Sequence, residues 1–165
     1  MSDRPIPERH ESGPIRTFLL ALVALGAVGL LAELLLLEHW VARPQYVPLA
    51  TLSLALGAAA IMALRPGPGT VRLFRVVMGL VVATGLVGIG FHLSDNLAFE
   101  REITPAASLG ALFWEAIRGA TPLLAPGSLV QLGLVGLVLT WRHPALNTDT
   151  GPPSVGHPFE PTEHP

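Results

Sequence analysis

The chain has 165 residues, of which 50% are hydrophobic and only 13% charged, and its formal net charge is −2. A soluble domain carries roughly 25% charged residues, so this chain has too little polar surface to dissolve as a globule, and lipid is its solvent. The absence of cysteine excludes disulfides, thiolate metal sites and iron–sulfur clusters, and the arginines are spread over several loops without forming a basic patch, which excludes nucleic acid as a partner.

Residues Met1–Pro14 are polar and carry three prolines, so they read as a disordered tail. Residues 15–143 then form one membrane domain, because no soluble segment is long enough to bury a core of its own. Four apolar runs lie within it, Ile15–Trp40, Val47–Leu64, Val71–Leu93 and Pro122–Trp141. A hydrocarbon core of roughly 30 Å needs about 20 apolar residues of helix at 1.5 Å each, so these runs predict an all-α bundle of four transmembrane helices. The first is no cleavable signal peptide. Its apolar stretch, Phe18–Leu37, exceeds a signal core of about 7–15 residues, and no small-x-small cleavage site closes it. Residues 144–165 carry six prolines with Asp149, Glu160 and Glu163, and read as a second disordered tail.

Boundary chemistry agrees with the spans. Pro48 and Pro122 suit a first helical turn, Thr121 is placed to cap the fourth span, and Trp40, Tyr46, Trp114 and Trp141 fall near the interfaces that favour amphipathic rings. The stiff turn from Arg65 to Thr70 makes spans two and three antiparallel neighbours. Pro126 sits one turn into span four, where it either kinks the helix or delays its start to Ser128. Residues 108–120 differ in kind. Leu109, Leu112, Phe113, Ala116, Ile117 and Ala120 repeat at helical spacing, with Glu115 and Arg118 opposite, so this segment is expected to be a short amphipathic helix at the interface, N-capped by Ser108.

Orientation follows from arginine. Arg4, Arg9, Arg16, Arg65, Arg72, Arg75 and Arg142 fall on one side of the four spans, and Arg43, Arg101 and Arg118 on the other, which predicts both termini in the cytoplasm.

Spans one and three share a pattern. Gly26 and Gly29 precede Glu33 by seven and four residues, and Gly85 and Gly88 precede His92 in the same way, so each set forms one helix stripe. Small residues admit close backbone approach in lipid, so the two stripes are expected to meet and to bring Glu33 and His92 together. The match is also compatible with a duplicated hairpin. Glu33 lies 17 residues beyond Arg16 and His92 lies 17 beyond Arg75, so both sit about 25 Å across the membrane, close to the outer surface. Such a pair either locks two helices by a hydrogen bond or handles a proton or cation. Asp95, Glu38, His39, Glu100, Glu102 and Glu115 surround it in short outer segments and extend the candidate proton or cation cluster. No recognised metal spacing is met, because Glu38 and His39 fall on opposite sides of a helix from Glu33. Asn96 is a further polar group on the face of His92.

Ala55, Ala59 and Ala63 read as a close seam on span two, within the chain or between copies. Gln131 is placed to hydrogen-bond across the bundle, and Thr84 to bond its own backbone. A haem held by His39 and His92, or a Ser–His–Asp hydrolase, is weakly supported, and no cofactor is predicted beyond a divalent cation as the alternative. The stretches Glu33–His39, Phe91–Glu102, Gly119–Gly127 and Trp141–Leu146 resemble a group of small four-span bacterial membrane proteins without an assigned activity. The resemblance covers Ile15–Leu146 and implies a bacterial inner-membrane setting, but carries over no catalytic residues. The sequence thus favours a non-enzymatic scaffold, small subunit or partner-binding module in contact with lipid and with other membrane proteins or its own copies. The alternative is a small transporter or a protein responding to protons or divalent cations.

Overall fold

In the computed structural model of the chain, residues 12–119 and 121–146 are described, and every regular element among them is helical. The elements are α1 (Ser12–Leu36), a 3₁₀ turn (Arg43–Gln45), α2 (Tyr46–Leu64), α3 (Pro68–Ile103), α4 (Leu109–Ile117), α5 (Leu124–Leu139) and a second 3₁₀ turn (Pro144–Leu146). Most of the two expected tails, and Ala120, lie outside the described residues. The tail boundaries themselves shift, since α1 begins at Ser12 and Pro144–Leu146 are a helical turn.

Three helices are long and apolar enough to cross a membrane, and α5 is a shorter apolar one of 16 residues. Large apolar side chains such as Phe18, Leu25, Leu64 and Val76 stay exposed on their outer faces, as lipid-facing surfaces do. The third span does not stop at Leu93. Its helix runs for 36 residues, about 54 Å, so the acidic stretch after His92 is helix and not loop. The helix in the expected fourth apolar run, α5, is shorter than that run because Pro122 and Leu123 remain outside it. Pro126 occupies the third position of α5, where a missing N–H forfeits no bond, and Thr121 does not cap the helix.

The helices form a ring in which α1 packs on α2 and α5, and α3 packs on α2, α4 and α5, while α1 and α3 do not pack on each other. The reason is where the glycines point. A Cβ on Gly85 would lie 2.7 Å from the Pro126 carbonyl oxygen, and one on Gly88 would lie 2.9 Å from Pro126 Cβ, so this stripe faces α5. From the other side, a Cβ on Gly133 would stand 2.8 Å from the Met78 carbonyl oxygen, and Gly136 abuts the Met78 side chain. Gly26 also faces α5, with Leu132 Cδ1 2.8 Å away, whereas Gly29 faces open space. The two expected ridges therefore do not meet; both serve α5. On α2 the seam is Leu52, Ala55, Ala58, Ala59 and Met62, and Ala63 is exposed. Gln131 is exposed as well and does not cross the bundle.

Two arginines close the far end of α5. Arg16 Nη1 donates to the Leu139 carbonyl at 2.7 Å, with Nη2 reaching those of Trp141 and Arg142. Arg75 Nη2 donates to the Thr140 carbonyl at 2.6 Å and its Nε to Thr140 Oγ1 at 3.2 Å. These carbonyls have no partner within the helix, and a cation also complements the negative end of its dipole. Each such charge-assisted bond contributes about 1.5–3 kcal/mol.

Ser108 caps α4, its hydroxyl accepting from the Ala111 N–H, and Glu115 pairs loosely with Arg118 at 3.9 Å. Only Leu112 and Ala116 of its apolar set are buried; Leu109, Phe113 and Ile117 remain exposed. The connection to α5 is held by Asn96, which is 3% exposed. Its Nδ2 donates to the carbonyls of Ala116 and Thr121, both at 2.9 Å, and its Oδ1 accepts from the Thr121 N–H at 3.0 Å. Gly119 leaves room for it, since a Cβ there would fall 2.6 Å from Asn96 Cγ.

The glycine geometry gives a direct test. Gly85→Ala forces its methyl onto the α5 backbone and is expected to destabilise the bundle by about 1–3 kcal/mol. Gly29→Ala, facing open space, is expected to be neutral or stabilising by up to about 1 kcal/mol. Unfolding of the two variants in matched detergent, followed by circular dichroism, measures the difference; the reverse order would place the close seam between α1 and α3.

Candidate functional site

Because α1 and α3 stay apart, a cavity of about 870 Å³ opens between them, floored by the first turns of α5 and rimmed by the loop before α2. Its walls are mostly apolar, with Leu30, Leu34, Val87, Phe91 and Leu129 among them. Four titratable side chains line it: Glu33 from α1, His39 from the following turn, and His92 and Asp95 from α3. Glu33 and Asp95 are exposed, so the cavity is reachable at their end.

Glu33 and His92 come to one level because each follows, by the same number of residues, an arginine held at the end of α5. Arg16 and Arg75 bind adjacent carbonyls at the end of α5, and each helix then rises by 17 residues, about 25 Å, to its polar side chain. The two side chains share the cavity without bonding to each other. His92 Nδ1 lies 2.9 Å from the Pro122 carbonyl oxygen. A carbonyl only accepts, so Nδ1 carries the hydrogen. Among the described residues Glu33 and Asp95 are in no ion pair.

His39 reaches the cavity by a route that helical geometry did not foretell. The chain leaves α1 at Leu36, and the His39 N–H returns to the Leu34 carbonyl at 2.9 Å while the Glu38 N–H returns to that of Leu35 at 3.2 Å. This pair of bonds is a Schellman termination, whose left-handed position usually holds glycine. Here Glu38 holds it, with φ at 52°. The turn leaves Glu38 exposed and outside the cavity and puts His39 on the same cavity as Glu33, so the angular argument that separated both from Glu33 holds for Glu38 alone. Burial first, and then the charge of His92, hold the His39 imidazole below its ordinary value of 6.5.

The remaining members of the expected cluster are elsewhere. Glu38, Glu100, Glu102 and Glu115 do not line the cavity, and the two on α3 lie 12–15 Å further along the helix than His92, at about 1.5 Å per residue. Among the described residues no three His, Asp or Glu side chains converge as a metal site. Asn96, three percent exposed and fully bonded, is a structural clamp and not a ligand. Thr84 and Phe91 line the cavity though nothing in the sequence singled them out as site residues; Thr84 lies eight residues before His92 on the same helix, about two turns, and Phe91 immediately before it. Gly133 and Gly136 escaped notice too, although their i, i+3 spacing is a small-residue pattern.

No protein family, curated protein or solved structure matches the chain.

Two outcomes follow from this geometry. A histidine depressed below 6.5 contributes stability that is present above pH 6.5 and lost as pH falls through its folded value. In an NMR titration of the full chain in nanodiscs, His39 is expected to titrate below 6.5, and His92→Gln to raise its midpoint while leaving it below 6.5, because burial remains. A midpoint indifferent to His92→Gln would separate the two rings. Glu38→Gly is expected to stabilise the protein by about 0.5–1 kcal/mol in thermal melts, since glycine relieves the left-handed strain; a loss would mean that the carboxylate itself is needed.

Proposed function

We propose that the chain is a four-span protein of a bacterial inner membrane with both termini in the cytoplasm. It acts there as a non-enzymatic binding module, a scaffold or small subunit whose binding element is the cavity at the Glu33 end. The cavity carries this reading: its size falls within the roughly 300–1,000 Å³ of ligand sites, and mostly apolar walls meet a few polar groups. The strongest polar interactions elsewhere, those of Arg16, Arg75 and Asn96, are bound to backbone and hold the bundle together.

The fourth span is supported by packing more than by length. The 16 residues of α5 rise only about 24 Å, but α5 runs antiparallel to both α1 and α3, from Pro122 beside His92 to Thr140 beside Arg75. Flanking Pro122, Leu123 and Trp141 lengthen its apolar path. The arginines at the α5 terminus support a cytoplasmic face at that end. A second reading, a small transporter or a proton-responsive protein, is favoured by one observation, the meeting of Glu33, His39, His92 and Asp95 on one cavity.

The cysteine-free sequence makes topology measurable. Single variants Pro66→Cys, Ser108→Cys and Pro144→Cys are treated in intact cells with a membrane-impermeant maleimide. Only Ser108→Cys is expected to label before permeabilisation. Labelling of Pro144→Cys from outside would mean three spans and end the proposed topology.

A further inference from the structure

We propose that the cavity between α1 and α3 binds a small lipophilic cation, a protonated amine carried on an apolar body. The inference rests on the binding-module reading and names its ligand class. Its basis is the sign and direction of the polar groups on the wall. Glu33 and Asp95 bring two carboxylates, which only accept hydrogen bonds. His92 spends its Nδ1 hydrogen on the Pro122 carbonyl, so that donor is not available to a ligand. His39, depressed by burial and by His92, favours the neutral form and adds no fixed positive charge. No arginine or lysine lines the cavity among the described residues, and neither carboxylate is neutralised by an ion pair there.

A wall whose charged side chains are two unpaired carboxylates favours a ligand with positive charge. Phe91 adds a ring on which a cation is favoured. Most of the remaining surface comes from Leu, Val, Ala and Pro, with Gln45, Thr84 and Thr121 as neutral polar residues among them, which suits an aryl or alkyl body and not a hydrated inorganic ion. A bare divalent cation would need several converging oxygen or imidazole donors, and no group of three exists among the described residues. An anionic body would be repelled by both carboxylates. A neutral acyl chain would cover the apolar wall but leave two carboxylates partly desolvated and unpaired, an arrangement that costs free energy. The amine satisfies both parts of the wall, with its nitrogen between Glu33 and Asp95 and its body extending toward Leu129.

The test uses the full chain in phosphatidylcholine nanodiscs and three probes of one shape: 4-phenylbutylamine, 4-phenylbutanol and 4-phenylbutyrate. Binding is read by isothermal titration against empty nanodiscs. The amine is expected to bind saturably at one site and at least tenfold more tightly than the alcohol, with no saturable binding of the carboxylate. Glu33→Gln and Asp95→Asn are each expected to weaken the amine at least tenfold, and His143→Gln, at the opposite end, to leave it unchanged. A diazirine analogue of the amine is expected to crosslink to peptides bearing Phe91 or Leu129, a readout that survives any loss of stability in the variants. Equal binding of amine and alcohol would make the cavity an apolar or lipid-tail site and overturn the proposal. So would tighter binding of the carboxylate, amine affinity indifferent to both variants, or no saturable binding at all. Because maleimide labelling tests topology separately, absence of amine binding in a chain with four spans would remove this inference alone.

Discussion

The structure depends on the near-contact of two backbones, α3 and α5. In lipid there is no hydrophobic gain from bringing helices together, so dispersion between closely fitted surfaces has to hold them, and small residues set how close they come. Gly85 and Gly88 on one helix and Gly133 and Gly136 on the other remove every Cβ that would keep the backbones apart. Once α5 is committed to α3, it can meet α1 only on its other flank, where Gly26 receives Leu132. α2 closes the ring from the opposite side with Ala55, Ala58 and Ala59. Four helices tied in this order leave α1 and α3 on a diagonal, and the space on that diagonal is the cavity.

Register is set at the opposite end. Arg16 and Arg75 belong to different helices, yet both answer the same need, the unpaired carbonyls that end α5. Sharing one anchor ties Arg16 of α1 and Arg75 of α3 to one end of α5, and equal rises of 17 residues from them carry Glu33 and His92 to the same cavity. His143 lies in this anchor too. Burial, followed by the charges of Arg16 and Arg75, lowers its imidazole below 6.5, and its Nδ1 accepts the Ala145 N–H. A positive charge there would be repelled by the two guanidinium groups.

Much of the architecture was legible in the sequence because it depends on length and hydropathy. The long apolar runs, the stiff turn at Pro66–Gly67, the Ser108 cap and the Glu115–Arg118 spacing are local properties, and the helices follow them. The level of Glu33 and His92 was legible as well, since it needs only an arginine marker and the rise of a helix. Which helix each glycine stripe faces was not legible. Gly26 and Gly85 occur in matching patterns, and a matching pattern invites pairing between the two, but a stripe specifies closeness and not the partner. The partner was decided by Gly133 and Gly136, whose spacing is shorter and carries no polar marker. The course of the chain after Leu36 was hidden for another reason. A left-handed residue usually announces itself as glycine, and here the position is filled by Glu38.

That left-handed glutamate bears on how the cavity is lined. A non-glycine residue with φ near 52° costs on the order of 1–3 kcal/mol, and surrounding structure has to hold it. What the turn achieves is to bring His39 onto the cavity that Glu33 lines, extending its rim past the last turn of α1. The polar groups thus arrive from three independent chain segments, α1, its terminal turn and α3. Helix locking would require them to bond one another, yet the His92 nitrogen with a partner is turned to the Pro122 carbonyl and Glu33 is exposed. Intramembrane carboxylates cost about 2.5–3.5 kcal/mol at mid-bilayer, less toward the surface, and usually mark function. In the proposed reading, this exposed carboxylate, about 25 Å beyond Arg16 on α1, lining a cavity and in no ion pair among the described residues, serves what enters the cavity and not the packing of the bundle.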